Sequence, residues 1–219
     1  MQLTKLILET TDLSKLHQFY GNVMEMPLSA NKHGFKISLG KTDLIFQENN
    51  QLDDPVYHYA ITIPSNKIDE AKEWLKDRVK LIWIEEYQSV IADFFNWNAK
   101  SVYFFDVAGN IVELISRFDL KNETDEPFDS RQFLSVSEIG IVFKEDEIEL
   151  RSKVLMNTYS LPYFSKQPPL PSFKVLGDDH GLFIIVPENR NWFATTITSK
   201  VLPLDIEFEN GGKHYHAKF

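Results

Sequence analysis

Two side chains, His58 and Glu113, have the chemistry and the placement that a small-molecule metal site requires. Each lies in a short, largely apolar segment that predicts a strand. Side chains alternate along a strand, and the alternation puts Lys5, His58 and Glu113 on the face that no helix is expected to cover. Imidazole nitrogen and carboxylate oxygen bind divalent metals, and three ligands with open positions suit small-molecule activation. The pattern therefore predicts that these three side chains converge.

The same residue types also have ordinary structural roles. A single histidine in an apolar strand commonly forms interior hydrogen bonds, and a glutamate near a strand end commonly forms an ion pair. Spacing alone is compatible with both interpretations.

A repeated unit would position these residues: a short apolar strand, a helix with a polar start, and a hairpin whose turn contains glycine. Three copies occur, and a fourth begins at residues 204–208 but breaks off. The opening strands are residues 3–9, 57–63 and 138–143, the helices are residues 12–24, 65–78 and 145–158, and the turn glycines are Gly40, Gly109, Gly177 and Gly181. This repeat predicts an α+β fold with curved sheets, helices on the outer face and a concave face that can hold a ligand.

The repeats also predict a division of the chain. Residues 1–118 hold two complete copies, and residues 132–219 hold a truncated duplicate. Between them, residues 119–131 are acidic, polar and interrupted by Pro127, which is typical of a linker. Truncation of the fourth copy would leave a strand edge with unpaired backbone groups. A second copy of the chain could pair with this edge, so a homodimer is expected.

Composition excludes several classes of function. The 219 residues carry a net charge of −9, which argues against nucleic acid as a partner because a phosphate backbone needs a basic surface. The absence of cysteine excludes disulfides, thiolate catalysis and cysteine-ligated metal centres. No segment has membrane-spanning length and apolarity, so we expect a cytoplasmic protein without a membrane partner.

Three segments carry a resemblance to a known family. They are residues 6–12 leading to Phe19-Tyr20, residues 58–63, and residues 103–114, Tyr-Phe-Phe-Asp-Val-Ala-Gly-Asn-Ile-Val-Glu-Leu. The last is similar to the aromatic–Asp–x–x–Gly–Asn–x–x–Glu–Leu signature of the vicinal oxygen chelate superfamily, which includes glyoxalase I, extradiol dioxygenases, and fosfomycin- and bleomycin-resistance proteins. Residues 132–219 resemble it more weakly. The resemblance implies βαβββ modules that form half-barrel mixed sheets around a metal.

Carried over by position, the resemblance assigns metal ligands to His58 and Glu113. The family's first-strand ligand, usually histidine or glutamine, falls on Lys5, whose ammonium group would repel a cation. In the third copy the equivalent position falls near Glu138, and no second metal site is expected there because the final glutamate is missing.

Three classes of function remain open, and none identifies a catalytic residue. One is a dioxygenase, isomerase or lyase that uses Fe, Mn or Zn on a small aromatic or oxygen-rich molecule. The alternative is a metal-free small-molecule-binding protein, similar to bleomycin-resistance proteins, in which Lys5 replaces the cation and pairs with Glu113. A third option is a structural relative whose site has decayed.

Four further side chains are candidates for a ligand pocket. Gln47 lies at the end of a first-copy strand, near a position that bears another ligand in some members of the family. Trp83, Phe95 and Trp97 could stack on an aromatic substrate, although core packing is the ordinary role of such residues.

Overall fold

The chain forms two mixed β-sheets and three helices in a computed structural model that describes all residues, 1–219. The strands are β1 (Gln2–Thr10), β2 (Leu28–Asn31), β3 (Gly34–Leu39), β4 (Thr42–Glu48), β5 (His58–Ile63), β6 (Ile91–Phe94), β7 (Ala99–Phe105), β8 (Ile111–Arg117), β9 (Ser135–Phe143), β10 (Lys174–Asp178), β11 (Gly181–Pro187), β12 (Asp205–Asn210) and β13 (Lys213–Lys218). The helices are α1 (Leu13–Gln18), which continues as a π-helical turn (Phe19–Val23), α2 (Ile68–Lys76) and α3 (Ile148–Tyr159). No helix combines the length and apolarity needed to cross a bilayer.

The predicted repeat is present in both sheets. In each of the first two modules a strand and a helix precede three strands, and the first strand pairs in parallel with the last, as in β1–β4 and β5–β8. The third module has one strand fewer, and the fourth consists of the β12–β13 hairpin. This arrangement confirms the α+β class built from βαβββ modules.

Pairing between modules decides which residues can meet. The first sheet has the order β13-β12-β1-β4-β3-β2 and joins the first module to the fourth. The second sheet has the order β10-β11-β9-β5-β8-β7-β6 and joins the second module to the third. Residues 119–131 therefore separate two stretches of chain, while each sheet takes strands from both stretches.

The truncated fourth module leaves no open edge at β12. This strand pairs with β1 on one side and with β13 on the other, both antiparallel. The strand edge that was expected to pair across a homodimer is thus already paired within the chain. The homodimer itself stays a prediction.

The apolar segment of residues 81–84 would suit a short strand but does not form one. Residues 81–84 form only single bridges, in which Leu81 pairs with Phe104 and Ile84 with Ser89. The edge strand that pairs with β7 is β6, which begins seven residues after Ile84, because a tight turn at Glu85–Tyr87 follows Ile84. Strand β2, which has no buried residue, was not predicted from the apolar pattern.

Apolar clusters cover both faces of the second sheet. The larger one joins one face of each sheet to the helices, through residues such as Leu6, Tyr59 and Leu155. A smaller cluster on the concave face of the second sheet includes Tyr103 and Trp192. Two irregular segments on either side of β10 and β11, residues 162–173 and 188–200, therefore cover the concave face of the second sheet, and the repeat did not predict them.

Candidate functional site

Three side chains on the concave face of the second sheet form an acidic cluster: His58 on β5, Glu113 on β8 and Glu138 on β9. The register places Glu113 and Glu138 on opposite sides of Ala60, so that both carboxylates lie on one face. His58 is two residues before Ala60 and shares this face. One donor atom from each residue lies within 4.8 Å of the others. We call these three residues the acidic cluster below.

His58 is held as a neutral ligand. Its Nδ1 lies 3.2 Å from the carbonyl oxygen of Ile111, and since a carbonyl only accepts, Nδ1 carries the proton. Nε2 then has a free lone pair, 3.7 Å from Glu113 Oε2. Burial lowers the pKa of His58 to about 4, and the nearby charge of Arg190 acts in the same direction. At neutral pH the imidazole can therefore donate its lone pair to a cation.

The two carboxylates are each fixed through one oxygen. Ser101 Oγ donates to Glu113 Oε1 at 2.5 Å, and Arg117 Nη2 donates to Glu138 Oε1. Burial, together with the charge of Glu138, raises the pKa of Glu113 to about 8. Burial also raises the pKa of Glu138, against the opposing effect of Arg117. One oxygen of each carboxylate is left for a ligand.

This donor set fits a divalent cation. Each of the three ligands has a partner that orients it, as metal-bound histidines and carboxylates commonly do. Both glutamates are nearly inaccessible to solvent, at 2% and 3% exposure, and only Glu138 has an ion-pair partner, Arg117. A further positive charge between the two carboxylates would stabilise them when both are ionised. One imidazole with two carboxylates suits Mn, Fe or Zn.

An aromatic cavity of about 190 Å³ opens above the acidic cluster. Six aromatic side chains form most of its wall: Phe94, Trp97, Tyr103, Phe173, Trp192 and Phe193. Trp97 is oriented by a hydrogen bond from its Nε1 to Gln167 Oε1, 3.2 Å long. Trp192 packs on Gly140 so closely that a Cβ there would lie 2.5 Å from the indole ring. The wall is thus built by specific contacts.

Solved structures share this architecture at low sequence identity. A protein described as a "putative dioxygenase" from Bacillus subtilis subsp. subtilis str. 168 superposes with a TM-score of 0.56 and 12% identity, over 85% of this chain and 63% of that one. A V278E mutant of glyoxalase I from Zea mays gives a TM-score of 0.54 and 14% identity, over 85% and 66%. The chain has the vicinal oxygen chelate fold.

The likeness extends to the fold and not to an activity. The chain matches less than two thirds of the length of either structure, at 63% and 66%. No protein-family model and no curated protein sequence matches the chain. The resemblance seen in residues 103–114 is nevertheless confirmed at the level of the fold.

Of the residues predicted for the site, His58, Glu113 and Trp97 line the cavity of this vicinal oxygen chelate fold. Lys5 does not: its strand belongs to the first sheet, and its Nζ pairs with Glu207 Oε1 at 2.5 Å. The expected ion pair between Lys5 and Glu113 is not formed. The reason is that β5 pairs with β9, the first strand of the third module, and not with β1. The side chain from a neighbouring first strand that approaches His58 and Glu113 is therefore Glu138 and not Lys5.

The other three candidates lie outside the cavity. Gln47 is on β4 in the first sheet, beside Glu9 and Lys218. Trp83 is 54% exposed and Phe95 is 89% exposed, so neither forms part of the wall. Phe94, rather than its neighbour Phe95, points inward.

Sequence reasoning missed Glu138 as a ligand and the wall residues between positions 162 and 200. Glu138 carried a signal: it is a charged residue within the otherwise uncharged strand of residues 135–143. No second metal site was expected near it, and the structure instead brings its carboxylate close to His58 and Glu113. The wall residues Phe173, Arg190, Trp192 and Phe193 lie in irregular segments without a periodic pattern.

Proposed function

We propose that the chain is a metal-dependent enzyme, a dioxygenase, isomerase or lyase, that acts on a small aromatic or oxygen-rich molecule. The observation that carries the proposal is the acidic cluster on the floor of an aromatic cavity. His58 Nε2 and one oxygen each of Glu113 and Glu138 would hold the cation. When bound, the cation would polarise two neighbouring oxygen atoms of the substrate.

The chain's own residues would bind the substrate and exclude water. The aromatic wall suits a flat ring, and the irregular segments of residues 162–173 and 188–200 would limit access by solvent. Burial, with the charge of Glu113, raises the pKa of Tyr103 well above its usual range. The Tyr103 hydroxyl therefore keeps its proton, and it can donate a hydrogen bond to the neighbouring Glu113 carboxylate or to an oxygen atom bound in the cavity.

A second candidate is a metal-free binding protein, and the buried ion pair between Arg117 and Glu138 favours it. In that case Arg117 neutralises Glu138, and Glu113 holds a proton, in keeping with its raised pKa. Lys5, the residue first expected to replace the metal, is excluded from this role by its place in the first sheet.

Metal analysis separates the two candidates. Protein purified without an affinity tag is stripped with a chelator, and Mn²⁺ binding is measured by calorimetry for the wild type, Glu138→Gln and Glu207→Gln. Glu207 is the matched control, since it occupies a first strand, β12, but in the other sheet. The proposal predicts one site per chain and a loss of more than about 100-fold in Glu138→Gln, because even the partners of metal ligands contribute about 10–100-fold. No binding, or equal loss in both variants, favours the metal-free alternative.

A further inference from the structure

Arg190 is the one arginine of the chain without an acidic partner. Each of the other four forms a salt bridge: Arg78 with Glu25, Arg117 with Glu138, Arg131 with Asp129, and Arg151 with Glu147. The chain has 32 acidic residues against 23 lysines and arginines, so partners are plentiful. A half-buried guanidinium without a counterion loses hydration that nothing in the chain replaces.

The chain holds Arg190 firmly at the cavity. Its backbone forms two hydrogen bonds with Ser199, one from Ser199 N to Arg190 O at 2.8 Å and one from Arg190 N to Ser199 Oγ at 3.2 Å. Its guanidinium lies over the ring of Phe173, 5.2 Å from the centroid, which is a cation–π contact. The side chain lines the same cavity as the acidic cluster, and its charge contributes to the low pKa of His58.

The cavity thus has two polar regions of opposite character. The floor carries two carboxylates and one imidazole, and Arg190 presents a cation at the wall. Between them the surface is aromatic. A ligand that satisfies both regions needs an anionic group for Arg190 and electron-rich oxygens for a cation at the floor.

The size of the cavity limits the ligand further. Its volume is about 190 Å³, and a protein cavity of about 150 Å³ is enough to hold benzene. One aromatic ring with small substituents therefore fits. A planar guanidinium matches a carboxylate through two parallel hydrogen bonds.

We infer that the ligand of this cavity is a single-ring aromatic carboxylate, with its carboxylate on Arg190 and the opposite edge of its ring facing the acidic cluster. This inference rests on the proposed function for the metal at the floor, whereas the role of Arg190 depends only on its place in the wall.

A matched pair of probes tests the inference. 3,4-Dihydroxybenzoate and 3,4-dihydroxybenzamide differ in the charge of one group, and their binding is measured under nitrogen by quenching of tryptophan fluorescence, with and without Mn²⁺. Wild-type protein should bind the benzoate about 10–100-fold more tightly than the benzamide, the range expected for hydrogen bonds to a charged group. Arg190→Gln should abolish this preference, and Arg190→Lys should keep part of it. Arg131→Gln, which alters an arginine that is 83% exposed, should behave as the wild type.

The outcomes distinguish the inference from the proposed function. Equal binding of the two probes, binding of neither, or an unchanged preference in Arg190→Gln overturns the role of Arg190. If Mn²⁺ fails to bind while metal-free protein prefers the benzoate, the proposed function fails and the role of Arg190 stands. If Mn²⁺ binds and the protein shows no preference for the benzoate, the role of Arg190 fails and the proposed function stands.

Discussion

Replacement of Arg117 by methionine tests the buried charges behind the acidic cluster. Arg117 has no exposed surface and Glu138 is 3% exposed, so the variant leaves a carboxylate in the interior with its main counterion removed. Removing one member of a buried ion pair typically costs about 3–5 kcal/mol of unfolding free energy. We expect a loss in this range at pH 7.

The loss of unfolding free energy should increase as the pH rises. Without Arg117, Glu138 avoids a buried charge by holding its proton, so its pKa in the folded state exceeds the value of about 4.3 in the unfolded chain. The folded state then binds protons more tightly, and its stability falls as the pH rises above about 4.3. Each pH unit corresponds to about 1.4 kcal/mol, so the loss should grow by up to about 2.7 kcal/mol between pH 5 and pH 7.

Urea unfolding of metal-free protein at the two pH values measures this effect. The control is Lys5→Met, which breaks an ion pair whose members are 33% and 43% exposed, and it should cost less than about 1 kcal/mol at either pH. The double variant Arg117→Met/Glu138→Gln should recover stability at pH 7 and lose the pH dependence. A loss in Arg117→Met below about 1 kcal/mol, or one that is equal at pH 5 and pH 7, would refute the reasoning.

Three further predictions concern the cluster and its surroundings. Because the pKa of Glu113 is raised to about 8, Mn²⁺ must displace its proton at pH 7; affinity should rise up to tenfold per pH unit below pH 8 and then level off. Calorimetry in buffers of different ionisation enthalpy should detect the released proton, and a flat profile between pH 6 and pH 8 would contradict it. Gly140→Ala should displace Trp192 and cost about 1–3 kcal/mol, with a changed near-ultraviolet circular dichroism spectrum; an unchanged spectrum and stability would count against the packing described. Lys5→His should leave Mn²⁺ affinity unchanged, and a gain in affinity would place Lys5 at the metal after all.

Local patterns in the sequence predicted the parts of the fold that depend on neighbouring residues. Strand alternation put His58 and Glu113 on the same face, and their parallel strands then brought them together. The helices followed from polar starts and apolar spacing, and the signature in residues 103–114 indicated the fold.

Long-range pairing could not be predicted in the same way. The first strand of each module pairs along one edge with the last strand of its own module and along the other edge with a strand of another module. The sequence of β5 does not specify whether this second partner is β1 or β9. Because β5 pairs with β9 and not with β1, the third side chain beside His58 and Glu113 is Glu138 and not Lys5. The position of the wall residue Arg190 depends on the irregular path of residues 188–200, where no periodicity guides a prediction.

Crystals grown with Mn²⁺ test the central claim most directly, by anomalous scattering at the manganese absorption edge. We expect one strong anomalous-difference peak per chain, within bonding distance of His58 Nε2 and of one oxygen each of Glu113 and Glu138. A crystal with an ordered, manganese-free cavity at saturating Mn²⁺, or a peak on the first sheet beside Lys5 and Glu207, would contradict it.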